Sequence, residues 1–459
     1  MLADHIVICS DAIQAFLQTW LDKNDWTLVI LPVERWKPEW KARFGESAKL
    51  AVRLQKSLYG HPMAGKWWQQ FLNSCIVSIG GIELQEHPSN FVFRWNPSKH
   101  GGDVDHEYVL LLNVYVDDLT LSGHRCCHES FWRTLSSKVK LDPFQEINTE
   151  GLLILGRRHF IERSPSTSKI TFDMRTYVDQ VVKTYCELAG TEVTTLKKVS
   201  TPSYPENSVT DEELNQQGQL SGSAARVLMR ILWLSRLARP DVSFIVGRLA
   251  TRVTQWSKFE DRQLYRCICY LHHSRDKVLV GQIDHAHEQE ASIEVFTDSD
   301  FASCPFSAKS TSGIMIVIKT GQLSLPIYWS SRKQTSVARS TPEAELIAMS
   351  SAMFTEVINV QTVLQQLLER PIQVNYRQDN QAVVDIVTSG YSAKLRHAPR
   401  VHRVNVSSVS EVLSEGFLHS IWYTHTAEQI ANGLTKVISP AEWPSMLQQL
   451  CTQDFNVDT

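Results

Sequence analysis

The chain has 459 residues, 43% hydrophobic and 21% charged, with 46 Lys and Arg against 49 Asp and Glu and a formal net charge of -3. Such a length holds roughly three domains with cores of their own, and the composition is that of an ordinary globular protein. The near-neutral balance excludes a uniformly basic nucleic-acid coat, nine cysteines without a CxxC pair argue against a zinc site or a disulfide framework, and no apolar run approaches the ~20 residues of a membrane helix.

Asp4 and Asp11 lie in an N-terminus without a basic segment, which is no signal peptide. The chain is therefore expected to be intracellular, cytoplasmic and/or nuclear, not secreted and not in a membrane. Ile6-Val7-Ile8-Cys9 predicts a strand leading to Asp11. Gly60-x-x-x-x-Gly65-Lys66 matches a phosphate-binding loop until Trp67, where Ser or Thr should ligate magnesium. Trp has no oxygen to offer, so a nucleotide triphosphatase is rejected.

Val109 to Val114 and Leu119 to Leu121 flank Tyr115-Val116-Asp117-Asp118 and predict a buried hairpin with its acids at the turn. Adjacent carboxylates there are costly unless a cation neutralises them. A solvent-facing Asp-Asp turn explains the same stretch equally well.

Ser200 to Ser223, rich in Pro, Ser, Gln and Gly, reads as a linker or long loop. Ala224 to Lys277 is helical in pattern, with Leu228, Ile231, Leu232 and Ser235 at helical spacing. It carries eleven Lys and Arg against four acids, which suits either a solvated helical surface or a phosphate-tracking one. Gly281 to Ser292 reads as a second polar break. Ile293 to Thr297 predicts a strand closing on Asp298, Ser340-Thr341-Pro342 caps a long helix, and a short strand Ile372 to Tyr376 precedes Asp379-Asn380.

Asp11 in its D-x-x-x-A-F setting, Leu58-Tyr59-Gly60-His61-Pro62 with Trp68, Tyr115-Val116-Asp117-Asp118, Tyr177-Val178-Asp179, Ser200-Thr201-Pro202 and Ala238-Arg239-Pro240-Asp241 stand in one order along the chain. Together they resemble the reverse-transcriptase region of copia-type LTR-retrotransposon Pol polyproteins. Ser310-Thr311-Ser312-Gly313, Trp329 to Gln334 and Ser340 to Glu345 resemble the ribonuclease H portion of the same polyproteins. The resemblance implies an α+β and α/β multidomain protein. Its expected parts are a reverse-transcriptase palm at 1–199, a helical thumb- or connection-like middle at 200–290 and a ribonuclease H-like domain at 291–459.

It further implies Asp11, Asp117 and Asp118 as the polymerase metal ligands, and Phe16 and Tyr115 as substrate-binding, with Phe16 at the steric gate. A core phenylalanine is the plainer reading of Phe16. In the last domain Asp298, Glu345 and Asp379 would be the ribonuclease acids, in the order Asp, Glu, Asp that separates this site from an integrase. Glu345 is preferred to Glu343, and Asp298 to Asp300. Asn432 stands where the family has a fourth acid, so the second metal is expected to bind weakly there.

The implied cofactor is Mg2+, with Mn2+ as a substitute. The implied partners are RNA template, DNA primer, RNA–DNA hybrid and dNTP. Lys394, Arg396, His397, Arg400, His402 and Arg403 either contact hybrid phosphates or form an ordinary exposed loop. Only ten residues precede Asp11, so the region is expected to be N-terminally truncated and without most of its fingers. Two functions therefore remain open: an RNA-directed DNA polymerase with ribonuclease H acting by two-metal phosphoryl transfer, and an inactive genomic relic or nucleic-acid-binding remnant.

Overall fold

The computed structural model describes residues 2–22, 24–45, 48–205, 208–304, 306–414 and 418–455. The chain divides into two compact units, residues 4–147 and residues 148–459, the second also taking in the residues before Asp4. Both are mixtures of helix and sheet.

In the first unit the strands are β1 (His5–Asp11), β2 (Leu28–Ile30), β3 (Ala51–Arg53), β4 (Ile82–Glu83), β5 (Asn90–Trp95), β6 (Tyr108–Tyr115), β7 (Asp118–His124) and β8 (Gln145–Glu146). Apart from the small β2–β3 pair they form one sheet in the order β4-β5-β6-β7-β1-β8. Alternation drives it: Phe91, Phe93, Trp95, Leu110, Leu112, Leu119 and Leu121 point to one face and are buried. They are covered by the helices Ala64–Ser78, through Trp68, Leu72 and Ile76, and Arg125–Ser136, through Phe131, Trp132 and Leu135. The near-miss phosphate loop thus opens an ordinary core helix, where Trp67 stacks on His61 at 4.7 Å.

The second unit holds two sheets. In the first, β9 (Leu152–Ile154), β10 (Arg157–Arg163), β11 (Thr167–Asp173) and β12 (Lys277–Asp284) run antiparallel. In the second, β13 (Ser292–Ser299), β14 (Thr311–Thr320) and β15 (Leu323–Lys333) are antiparallel neighbours, and β16 (Val374–Gln378) and β17 (His419–Tyr423) are added parallel to β13. The last strand, β18 (Thr452–Asp454), returns to pair with β12.

The expected boundaries at 199/200 and 290/291 do not divide compact units. Thr201 and Ser203 are buried, Arg266 donates to Thr201, and the Gln263 amide pairs with both the N–H and the carbonyl of Tyr204. At Thr201–Tyr204 the Ser200–Ser223 segment is thus packed against the helix that carries Gln263 and Arg266 rather than a free linker. Gly281, expected in a polar break, lies in β12, where a Cβ would come 2.3 Å from Leu325 Cδ1. One hydrophobic core runs from Phe172 through the helices Arg175–Ala189, Ala224–Leu237, Ser243–Ala250 and Lys258–His273 to Trp443, Met446 and Leu450. The middle block cannot part from the C-terminus without exposing it.

Among the described residues one helical stretch, Thr341–Leu368, is long and apolar enough to cross a membrane by length and composition. It was not foreseen as an apolar run. Its Leu346, Met349, Ala352, Met353 and Val357 are buried in the core of the β13–β17 sheet, the place of a core helix.

Candidate active sites

In the first unit β1 and β7 are antiparallel with Asp11 opposite Asp118, and Tyr115 opposite Asp118 closes a two-residue turn of Val116 and Asp117. Val116 has φ +58° at the first central position, where such turns favour glycine. A β-branched residue is strained there, by about 1–3 kcal/mol. The buried Trp68 holds the turn, its indole N–H donating to the Val116 carbonyl at 2.6 Å, and the Asp117 carbonyl accepts from Ala12 N–H at 2.8 Å.

Burial, then the neighbouring Asp11 and Asp117, push the Asp118 carboxyl up to about 6. The three acids stand together, yet they are not among the trios of described residues whose ligand atoms all lie within 4.8 Å of one another. Phe16 lies in the short turn Ala15–Gln18, half-buried against the core, its ring 4.8 Å from that of Tyr59. Tyr115 is exposed.

The second centre forms at the C-terminal ends of the parallel pair β13 and β16, where open sheets offer room for a ligand. Asp298 is the penultimate residue of β13, and Asp379 follows β16 directly. Glu345 comes from the helix Thr341–Ser351, which the Ser340 hydroxyl caps by accepting from Glu343 N–H. These three are a trio within 4.8 Å, Asp298 and Glu345 each 3% exposed. Burial raises both carboxyls, and for Glu345, Asp298 and Asp379 add to the rise and take it well above the ordinary carboxylate range.

The segment Thr426–Lys436 surrounds these acids. The Thr435 hydroxyl donates to Asp298 Oδ2, Lys436 Nζ lies 3.8 Å from the same oxygen, and the Thr426 hydroxyl donates to Asp379 at 2.5 Å. Asn432 donates from Nδ2 to the Thr426 carbonyl at 2.7 Å. Its Oδ1 and Glu345 Oε2 are buried without a hydrogen-bond donor. Gln429, fully buried, donates to the carbonyls of Thr297 and Arg377 and bridges the strands where they diverge. Gly313 faces Asp298 in the register and admits the segment, since a Cβ there would come 2.9 Å from the Ala431 carbonyl.

Asp300 is held in the turn by Thr311 N–H and Ser303, outside the trio. Glu343 points elsewhere, toward His397 and His402. The bracing roles of Thr426, Gln429, Thr435 and Lys436 were not foreseen; the polar residues flanking Asn432 were their only signal. Also unforeseen was the turning-in of two histidines from the basic stretch.

The fold and its acids define a mixed α/β multidomain protein with two separate carboxylate centres, each at strand ends. It is a relative of retrotransposon Pol polyproteins. It is 24% identical to the retrovirus-related Pol polyprotein from transposon RE1 of Arabidopsis thaliana, over 84% of this chain and 24% of that protein. With the Pol polyprotein from transposon TNT 1-94 of Nicotiana tabacum it shares 24% identity over 85% of this chain and 27% of the relative. The Transposon Ty1-JR2 Gag-Pol polyprotein of Saccharomyces cerevisiae is 22% identical over 84% of the chain. The chain thus spans about a quarter of the length of these relatives. No protein-family model matches it. Among solved structures, the foamy viral protease-reverse transcriptase in complex with RNA/DNA hybrid aligns over 92% of this chain and 44% of its own, with TM-score 0.45 and 13% identity. The PFV RNase H domain aligns over 35% of this chain and 92% of its own, with TM-score 0.22 and 15% identity.

Proposed function

We propose that the chain is the reverse-transcriptase and ribonuclease H portion of an intracellular retrotransposon-type Pol polyprotein, and that its second centre cleaves the RNA strand of an RNA–DNA hybrid. The observation that carries this reading is the convergence of Asp298, Glu345 and Asp379 within 4.8 Å, beside the undonated Glu345 Oε2 and Asn432 Oδ1. Hard oxygen donors of this kind fit Mg2+, with Mn2+ as a substitute. Bound there, such ions lower the pKa of the attacking water and stabilise the charge at the phosphorus.

The chain's own residues prepare that place. Thr435 and Lys436 fix Asp298 and Thr426 fixes Asp379, while Glu345 Oε2 is left without a donor. Asn432 offers an oxygen without charge, and so would hold a second ion only weakly.

A polymerase role for the first centre is favoured by Asp11 facing Asp118 across two strands and by the raised Asp118 carboxyl. Asp117 and these two would hold the ions, RNA template and DNA primer would lie across the sheet, and Phe16 and Tyr115 would contact the sugar of the dNTP. The test of the leading reading is cleavage of a labelled RNA–DNA hybrid by the full chain. Magnesium-dependent cleavage is expected, abolished by Asp298→Asn, with Asn432→Asp raising it or lowering the ion concentration it needs. If neither wild type nor Asn432→Asp cleaves with Mg2+ or Mn2+, the reading fails and the chain is a nucleic-acid-binding remnant.

A further inference from the structure

A second set of metal-type donors lies outside both acid centres. Glu343 is 1% exposed, and its Oε1 lies 2.6 Å from His397 Nε2 and 2.7 Å from His402 Nε2. Its Oε2 accepts from Arg339 N–H at 2.8 Å, which fixes the carboxylate. The side chain of His402 is likewise 1% exposed, and its Nδ1 lies 2.5 Å from Ser336 Oγ. Its Nε2 is buried without a hydrogen-bond partner. In the tautomer whose Nδ1–H donates to Ser336, Nε2 is the unprotonated nitrogen that a cation can take. Two imidazole nitrogens and a carboxylate oxygen at such separations repel unless protons or a cation lie among them.

We infer that Glu343, His397 and His402 form a binding site for a zinc-class divalent ion, distinct from the magnesium-type centre. Imidazole nitrogens select such ions, whereas Mg2+ takes oxygen donors. The cysteine pattern that argued against zinc is silent on a Glu-His-His set. An ion about 2.0–2.2 Å from each donor spaces the donors by about 3.4 Å, so the side chains need only draw apart by less than ~1 Å. The Ser336 contact is the kind of outer hydrogen bond that orients a ligating histidine.

The site does work for the fold. The exposed Lys394, Arg396, Arg400 and Arg403 lie beside the two histidines, and Glu343 sits two residues before Glu345 on the same helix. An ion here pins the basic segment to the start of the helix that carries Glu345.

The test is Co2+ and Zn2+ titration of the full chain in excess Mg2+, read by the visible absorption of Co2+ and by calorimetry. One equivalent is expected, retained in Asp298→Asn and weakened at least about tenfold in His397→Ala and His402→Ala. No binding, binding unchanged in the histidine variants, or binding lost in Asp298→Asn each overturns the inference. A variant that fails to fold gives no reading, so amide hydrogen exchange on the wild type supplies the second one. Zn2+ should protect the segment 393–403, and unchanged exchange there also overturns the inference.

Discussion

Glu345→Gln should make the metal-free protein more stable while abolishing its response to magnesium. The ligand atoms of Asp298, Glu345 and Asp379 lie within 4.8 Å of one another. Two ionised carboxylates at that distance repel by about 3.5 kcal/mol at an effective dielectric of about 20. Ionised Glu345 meets two of them, a gross cost of about 7 kcal/mol, much of which the wild type escapes by keeping a proton on the trio and by the nearby Lys436. The net gain from an uncharged isostere in EDTA is then about 1–3 kcal/mol, or roughly 2–10 °C in Tm for a unit of this size. The sign of the pH dependence follows from the raised carboxyl. A group that holds its proton more tightly folded than unfolded contributes stability fully present below its unfolded pKa of about 4.5, and lost as pH rises through the folded value. In EDTA the wild type should therefore lose stability as pH rises from about 4.5 through the raised folded value, and Glu345→Gln should lose less, so that the gap is widest at the upper end. Magnesium should stabilise the wild type and leave the variant where it was. A variant that melts at or below wild type at the upper end of that range, or that gains as much from Mg2+, refutes the reasoning.

Gln429→Ala removes the amide that satisfies two buried carbonyls and should cost about 2–4 kcal/mol; a denaturant midpoint within error of wild type would show the strand ends hold themselves. Trp68→Phe keeps the ring packing but strips the Val116 carbonyl of its donor, at a cost of about 1–2 kcal/mol. Faster amide exchange confined to the Tyr115–Asp118 turn is the expected readout, and unchanged exchange would free that turn from its clamp. Burial holds His128 and His419 neutral, down to about 4. A depressed folded pKa leaves their contribution intact above about pH 6.5 and removes up to about 3 kcal/mol each as pH falls toward 4. His128→Gln should flatten the acid limb of the denaturant midpoint, and parallel limbs would rule the histidine out as its source.

The strand leading to Asp11, the hairpin at Asp117-Asp118, the strand ending at Asp298 and the cap at Ser340 were legible in the sequence, because each is local. Alternation, turn chemistry and a capping hydroxyl act within a few residues. The preference for Glu345 over Glu343 rests on the family resemblance. Its geometric ground is tertiary: the two residues lie on different faces of one helix, one turned toward Asp298 and Asp379, the other toward His397 and His402. Nothing local reveals that Thr201–Tyr204 packs on a helix by way of Gln263 and Arg266, or that β18 returns to β12 and binds the last residues into the middle core. Those contacts join residues scores of positions apart, and burial there is decided by which surfaces meet. Composition along the chain cannot encode that. For the same reason the sequence shows Asn432 as a missing charge, while only the assembled sheet leaves its Oδ1 buried and without a donor.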